Sequence, residues 1–210
     1  SQQNVTVYTG TGRFTEPVRM SIVDGLDAGA EVTADRWVLA AGSRPMIPEI
    51  DGLDTIEVHT SDTIMRIDEL PRRLVVLGGG FIGCELAHVF AAFGVEVTVI
   101  ARSGRLLSHQ DPDISEAFTI AVSHRMDVRL NTMAERIEAH GDGTFTLVAM
   151  GPSAPFTIDA DMFLVATGRD PNSDQLDVAA AGVDVDDCGF VVTDELLQTS
   201  VPGMWALGDI

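Results

Sequence analysis

Six residues, Gly78-Gly79-Gly80-Phe81-Ile82-Gly83, constrain this chain more than any other stretch. An apolar run, Leu74-Val75-Val76-Leu77, precedes them, and an amphipathic run from Phe81 to Phe93 follows. Strand, glycine turn and helix form the context in which G-x-G-x-x-G holds a dinucleotide. Gly78 permits the sharp turn, Gly80 has no side chain to obstruct a pyrophosphate, and Gly83 lets the helix approach the strand. The first helical N–H groups then face the phosphates, with the positive end of the helix dipole behind them. The competing reading is a glycine-rich turn in an unrelated α/β domain.

The rest of the chain falls into place around this motif. Residues 4–41 read as β-rich: Val5 and Val7 alternate with polar neighbours, as do Val18, Met20 and Ile22. Asp24-Gly25 and Ala28-Gly29 mark turns. Arg36-Trp37-Val38-Leu39-Ala40-Ala41 reads as a buried strand. Met46 to Gly52 is a proline-containing connection and a candidate domain boundary. Ser61-Asp62 is placed to cap a short helix reaching about Leu70, which Pro71 ends. From Arg73 the pattern is βαβαβ, with a second strand at Val95–Ile100. Asp111-Pro112-Asp113 supplies an N-cap, a first-turn proline and an acidic first turn. Ile114, Phe118 and Val122 then recur as a buried stripe would. Asp127–Leu130 reads as a third strand. After it the period shortens to two, with Ile137 and Ala139, then Phe145, Leu147 and Ala149, around a turn at Gly141-Asp142-Gly143. Met162–Ala166 is again strand-like, and so is Gly189–Thr193. The fold class is α/β: a Rossmann-like unit carrying an antiparallel meander, entered from and left for other structure.

Composition excludes several functions. There are 32 acidic and 13 basic residues, for a net charge of −19. Such a surface repels nucleic acid and anionic membranes. Every basic residue is Arg, so a catalytic lysine is excluded within these 210 residues. Cys84 and Cys188 match no metal or redox spacing, and free thiols suit a reducing cytoplasm. No run of 18 apolar residues is present. Ser1-Gln2-Gln3-Asn4 lacks the features of a signal peptide.

The choice of dinucleotide is read at the end of the second strand. NAD-preferring sites place an acid there, about twenty residues past the first glycine, on the ribose 2′-hydroxyl. Here the stretch is Ile100-Ala101-Arg102-Ser103-Gly104-Arg105. Arg102 and Arg105 offer planar donor forks to a 2′-phosphate, which favours NADP(H) over NAD(H). The alternative is that both arginines are simply solvated.

Four landmarks then carry a resemblance over essentially the whole chain: Ala40-Ala41-Gly42-Ser43-Arg44-Pro45, the motif Gly78–Glu85, Ala166-Thr167-Gly168-Arg169-Asp170-Pro171-Asn172, and Thr199 to Asp209. In order and spacing they resemble the flavoprotein disulfide reductases. The run Val58–Arg66 and the arginine pattern look most like the mycothione-reducing branch of that family, which uses NADPH to reduce a thiol disulfide. The resemblance implies an FAD domain interrupted by an NAD(P) domain: residues 1–48 and 172–210 would be parts of the former, and 49–171 the latter. It implies FAD contacts for Gly42, Ser43 and Asp209, Asp209 meeting the ribityl chain unless it is a plain turn aspartate. It implies NADP contacts for Gly78, Gly79, Gly80, Phe81, Ile82, Gly83, Glu85, Ala134 and Gly168, beside Arg102 and Arg105. Phe81 would cover the flavin where nicotinamide docks, or else pack in the core. Glu85 would sit near the nicotinamide, or else be a solvated first-turn glutamate.

The departures matter as much. An N-terminal FAD glycine motif, a C-x-x-x-x-C pair and the family's C-terminal dimerisation domain with its His-Glu pair are all missing from these residues. The chain is therefore expected to be a central piece of a longer, cytoplasmic, homodimeric enzyme, inactive by itself, whose substrate is a small-molecule disulfide. The competing expectations are a non-catalytic dinucleotide-binding module, or an enzyme resembling dihydrolipoamide dehydrogenase or mercuric reductase.

Overall fold

The computed structural model describes residues 4–210; the reading of the first three residues lies outside them. The chain divides into two compact units, one made of residues 4–44 with Arg169–Ile210, the other of Pro45–Gly168.

The first unit opens with an antiparallel meander, β1 (Gly12–Glu16), β2 (Arg19–Ile22) and β3 (Glu31–Thr33). Phe14 and Ile22 are buried beneath it. Val5 and Val7, expected to alternate in a strand, lie outside any strand and are largely exposed. Their alternation is real, but among the described residues no neighbouring strand takes up their backbone hydrogen bonds. The strand expected at 36–41 shrinks to β4 (Trp37–Leu39), with Leu39 buried and Val38 facing out. β5 (Ser43–Pro45) follows.

In the second unit, β6 (Val58–His59), β7 (Arg73–Leu77), α1 (Phe81–Ala92), β8 (Glu96–Ile100), α2 (Pro112–Ser123) and β9 (Asp127–Arg129) follow in turn. An antiparallel meander comes next, β10 (Met133–Ala139), β11 (Phe145–Met150) and β12 (Pro155–Ala160), before β13 (Met162–Val165). The parallel sheet has the order β6-β13-β7-β8-β9. Strand β7 is apolar on both faces, because each face has a layer to cover it. Leu74 and Val76 pack towards Cys84, Ala87 and Phe90 of α1. Val75 and Leu77 pack towards Ile137, Phe145 and Leu147 of the meander. At the start of the sheet, Asp161 takes Arg73 in a fork, 2.6 Å to Nη2 and 3.4 Å to Nε, and accepts the Arg73 backbone N–H at 2.8 Å.

The helix expected from Ser61-Asp62 to Leu70 is one 3-10 turn, Ile64–Arg66, with no side-chain cap; Ile64 is buried, and the backbone turns extended at Ile67. In α2 the cap forms as read, Asp111 Oδ1 accepting from Asp113 N–H at 2.9 Å. The buried face, however, carries Ser115 and Thr119, while Ile114 is exposed and Phe118 and Val122 are only partly buried. The two hydroxyls satisfy backbone groups of the preceding loop, which apolar residues could not do: Leu106 N–H donates to Thr119 Oγ1 at 2.9 Å, and Ser115 Oγ donates to the Leu107 carbonyl at 2.6 Å. In the meander, Ala139 is exposed rather than buried, lying beside the turn.

The chain then returns to the first unit through β14 (Arg169–Pro171), which pairs with β5, α3 (Ser173–Leu176) and β15 (Met204–Ala206), which runs parallel to β4. Gly189–Thr193 makes a single bridge, Val185 to Val191, rather than a strand. Asp186 explains this: its carboxylate accepts the N–H groups of Cys188 and Phe190, curling the segment. No helix among the described residues is long and apolar enough to cross a membrane.

Candidate functional site

Strand β7 delivers its chain into the glycine turn, and the turn sets the floor of a groove of about 730 Å3 within the second unit. Gly78 has φ +128°, and a Cβ there would lie 2.1 Å from the Ala166 carbonyl oxygen. A Cβ on Gly83 would lie 2.2 Å from the Gly78 carbonyl oxygen, so α1 sits against the turn at glycine distance. Gly80 is different: a Cβ there would meet nothing within 4 Å. Its lack of a side chain serves open space at the mouth of the groove rather than packing. No side chain caps α1 at Gly80, so its first N–H groups are left to whatever occupies that space.

Gly78, Gly79, Gly80, Phe81, Ile82, Arg102, Ala134 and Gly168 all line this groove. Gly83, Glu85 and Arg105 do not. Gly83 is buried behind the turn, and Glu85 is exposed further along α1. Arg105 is half-buried beyond a loop that folds back, Ser103 Oγ donating to the Arg105 carbonyl at 2.6 Å. Phe81 is 57% exposed, which excludes the core-packing alternative. It also borders a second, smaller groove between α1 and α2, lined by Glu85, His88 and Arg125 among others.

Sequence reasoning missed the opposite wall, residues 46–50, along with Ser108, His109 and Met133. The segment 46–50 was legible only as a connection. It is held at the groove by Met46 N–H donating to the Gly168 carbonyl at 3.0 Å and Thr167 Oγ1 donating to the Met46 carbonyl at 2.8 Å. No local pattern encodes such a pairing across the length of the unit.

The candidate flavin residues lie in the first unit. Ser43 Oγ donates to Asp209 Oδ2, and Arg169 donates from Nε to Ser43 Oγ at 2.6 Å and from Nη2 to the Ser43 carbonyl at 2.5 Å. Arg169 Nε also lies 3.5 Å from Asp209 Oδ2. Gly42 turns the chain before Ser43 with φ +66°. The Asp209 carboxylate is thus fixed in direction while remaining largely exposed. Nearby, Arg44 grips Asp174 through two 2.8 Å bonds, and that hydrogen bonding holds the Asp174 carboxyl below the usual range.

Cys84 is buried, and burial, with the Glu85 charge adding to it, pushes its thiol up to about 11. A thiol held in its neutral form is a packing group rather than a nucleophile.

The family described as pyridine nucleotide-disulphide oxidoreductase matches residues 1–210. Mycothione reductase of Mycobacterium tuberculosis (strain H37Rv) is 45% identical over 212 residues, covering 99% of this chain and 44% of that protein. Dihydrolipoyl dehydrogenase of Vibrio cholerae is 35% identical over 99% of this chain and 44% of its own length. The solved structure of the HOCl-induced flavoprotein disulfide reductase RclA from Escherichia coli superposes with a TM-score of 0.81 at 30% identity, covering 95% of this chain and 44% of that one. The chain thus spans less than half the length of these relatives.

Proposed function

The chain belongs to the pyridine nucleotide-disulphide oxidoreductase family, and from that membership we propose that it is the NADP(H)-binding part of an FAD-dependent enzyme that reduces a thiol disulfide of the mycothione type. In this reading 49–171 is the NAD(P) domain, and 1–48 with 172–210 belong to the FAD domain. The observation that carries the NADP(H) assignment is Arg102: it lines the groove at the end of β8, where an NAD site would place an acid. The mycothione-type substrate rests on the 45% identity to mycothione reductase.

The residues fit a dinucleotide. The open space at Gly80 and the uncapped start of α1 suit a pyrophosphate, with the helix dipole favouring its charge. Thr167 and Gly168 close the other end of the groove, where the backbone of Gly168 can approach a flat ring. A bound nicotinamide would supply the hydride for disulfide reduction. The work of this chain is to bind and aim. Arg102 anchors one end, the glycine turn fixes the middle, and Phe81 guards the exposed face. Gly42, Ser43 and Asp209 are proposed to hold FAD, the Ser43–Arg169 bonds aiming the carboxylate. A homodimeric, cytoplasmic parent is part of the same proposal.

Calorimetric titration with NADPH and with NADH tests the cofactor. NADPH should bind at least tenfold more tightly, and Arg102→Ala should abolish the difference. Equal affinities in the unaltered chain would sink the assignment and favour the NAD-linked, dihydrolipoyl dehydrogenase-like reading. The longer protein should consume NADPH with mycothiol disulfide; turnover with dihydrolipoamide and NAD instead would refute the substrate.

A further inference from the structure

We infer that His109 is the partner of Arg102 in recognising a phosphate on the ribose 2′-oxygen, the role that sequence spacing gives to Arg105. This rests on the NADP(H) reading above and names a further residue that enforces it. Arg102 and His109 are the two basic side chains among the described residues that line the groove, and Arg105 is not in its wall.

The loop that carries His109 is built at some expense. Leu107 sits in the left-handed region with φ +51°, where a branched side chain is strained. Three hydrogen bonds hold it there. Its N–H donates to the Gly79 carbonyl at 2.7 Å, inside the glycine turn itself. Its carbonyl accepts from the fully buried Ser115 Oγ at 2.6 Å and from the Gln110 N–H at 2.9 Å. The strained residue thus ties α2 to the glycine turn, and the two residues after it, Ser108 and His109, line the groove. A second left-handed residue, Asn131 with φ +51°, fixes the loop after Arg102 by donating its N–H to the Ser103 carbonyl at 3.0 Å. Both segments that would meet the phosphate are therefore pinned before any ligand arrives.

The chemistry matches. A phosphate monoester dianion takes N–H donors at several oxygens. A guanidinium offers a fork, and an imidazole offers one N–H in either tautomer and a positive charge when protonated. The 2′-hydroxyl of an NAD-type ribose gives these groups no charge to meet, so their effect falls on discrimination between the two dinucleotides.

The test uses fragments that isolate this end of the cofactor, adenosine 2′,5′-bisphosphate and 5′-AMP, titrated calorimetrically into the chain. The unaltered chain should prefer the bisphosphate. His109→Ala should weaken it roughly tenfold while leaving 5′-AMP within about twofold, and Arg105→Ala should change neither. His109→Arg should keep the preference. His109 is exposed, and His109→Asn replaces alanine if circular dichroism shows the turn disturbed. If His109→Ala keeps the preference and Arg102→Ala loses it, the inference about His109 falls and the NADP(H) reading survives. If the unaltered chain shows no preference, both fall together. If Arg105→Ala loses the preference while His109→Ala keeps it, Arg105 recovers the role and the assignment here is overturned.

Discussion

Replacing Gly83 by alanine sets two effects of known sign against each other. Inside α1, alanine is the better helix former by about 1 kcal/mol. The new methyl group, however, would lie 2.2 Å from the Gly78 carbonyl oxygen and 3.1 Å from its carbon. Ordinary contact begins near 3.4 Å, so α1 must retreat from the turn by about 1 Å. The obstacle is backbone, and that backbone is itself pinned against Ala166, so no side chain can give way. Overpacking of this kind costs about 1–3 kcal/mol, and the rigid neighbour places it at the upper end. The net expectation is a loss of about 2 kcal/mol, or about 4–8 °C in melting temperature for a chain of this size. Gly80→Ala is the control. It meets nothing within 4 Å and its φ of −81° suits any residue, so stability should move by no more than about 1 kcal/mol, mostly through the weaker N-cap. Its methyl group instead enters the space proposed for pyrophosphate, and dinucleotide affinity should fall about tenfold. Urea titration followed by circular dichroism, with calorimetric binding on the same samples, separates the two. A Gly83→Ala chain as stable as the original, or a Gly80→Ala chain that binds unchanged, would refute the division between a glycine for packing and a glycine for access.

Thr119→Val should lower stability by about 1–3 kcal/mol, because it leaves the Leu106 N–H without its acceptor in a buried place; urea unfolding reads this directly. Asp161→Asn should cost about 1–2 kcal/mol near neutral pH. Its sign with pH follows from the hydrogen bond to Arg73, which lowers the Asp161 carboxyl below its unfolded value of about 3.9. The stabilisation is complete above that unfolded value and disappears as pH falls through the lower folded one, so the gap between the two proteins should close in acid. An aromatic disulfide reagent at pH 8 should modify exposed Cys188 quickly and leave Cys84, raised to about 11, unmodified in the folded chain. Two rapid equivalents would contradict that.

Local chemistry was legible where a few neighbouring residues decide it. The glycine turn, α1 and the Asp111 cap of α2 each depend on positions a turn or less apart. The apolar period of α2 misled because Ile114, Phe118 and Val122 report hydrophobicity, whereas the buried face was set by a loop needing two hydroxyls. The helix expected from Ser61-Asp62 to Leu70 had a capping signal in the sequence, but no side chain caps the single 3-10 turn that forms. The third meander strand, Pro155–Ala160, follows a Gly-Pro-Ser stretch that hid it, and it is held by pairing to β11. The groove's far wall and His109 were invisible for the same reason: they arrive by pairings such as Met46 with Gly168 and Leu107 with Gly79.

One of those pairings has a use in engineering. Met46 and Gly168 lie at the two ends of the second unit, and a backbone hydrogen bond joins them side by side. A module whose ends meet is portable. It can be spliced into a surface loop of an unrelated scaffold without prying that loop apart, and the scaffold sees little more than a turn. The same adjacency permits circular permutation, with old ends fused through a short linker and new ones opened at the Gly141-Asp142-Gly143 turn. The unit proposed to bind the dinucleotide is therefore already delimited by the chain's own hydrogen bonds.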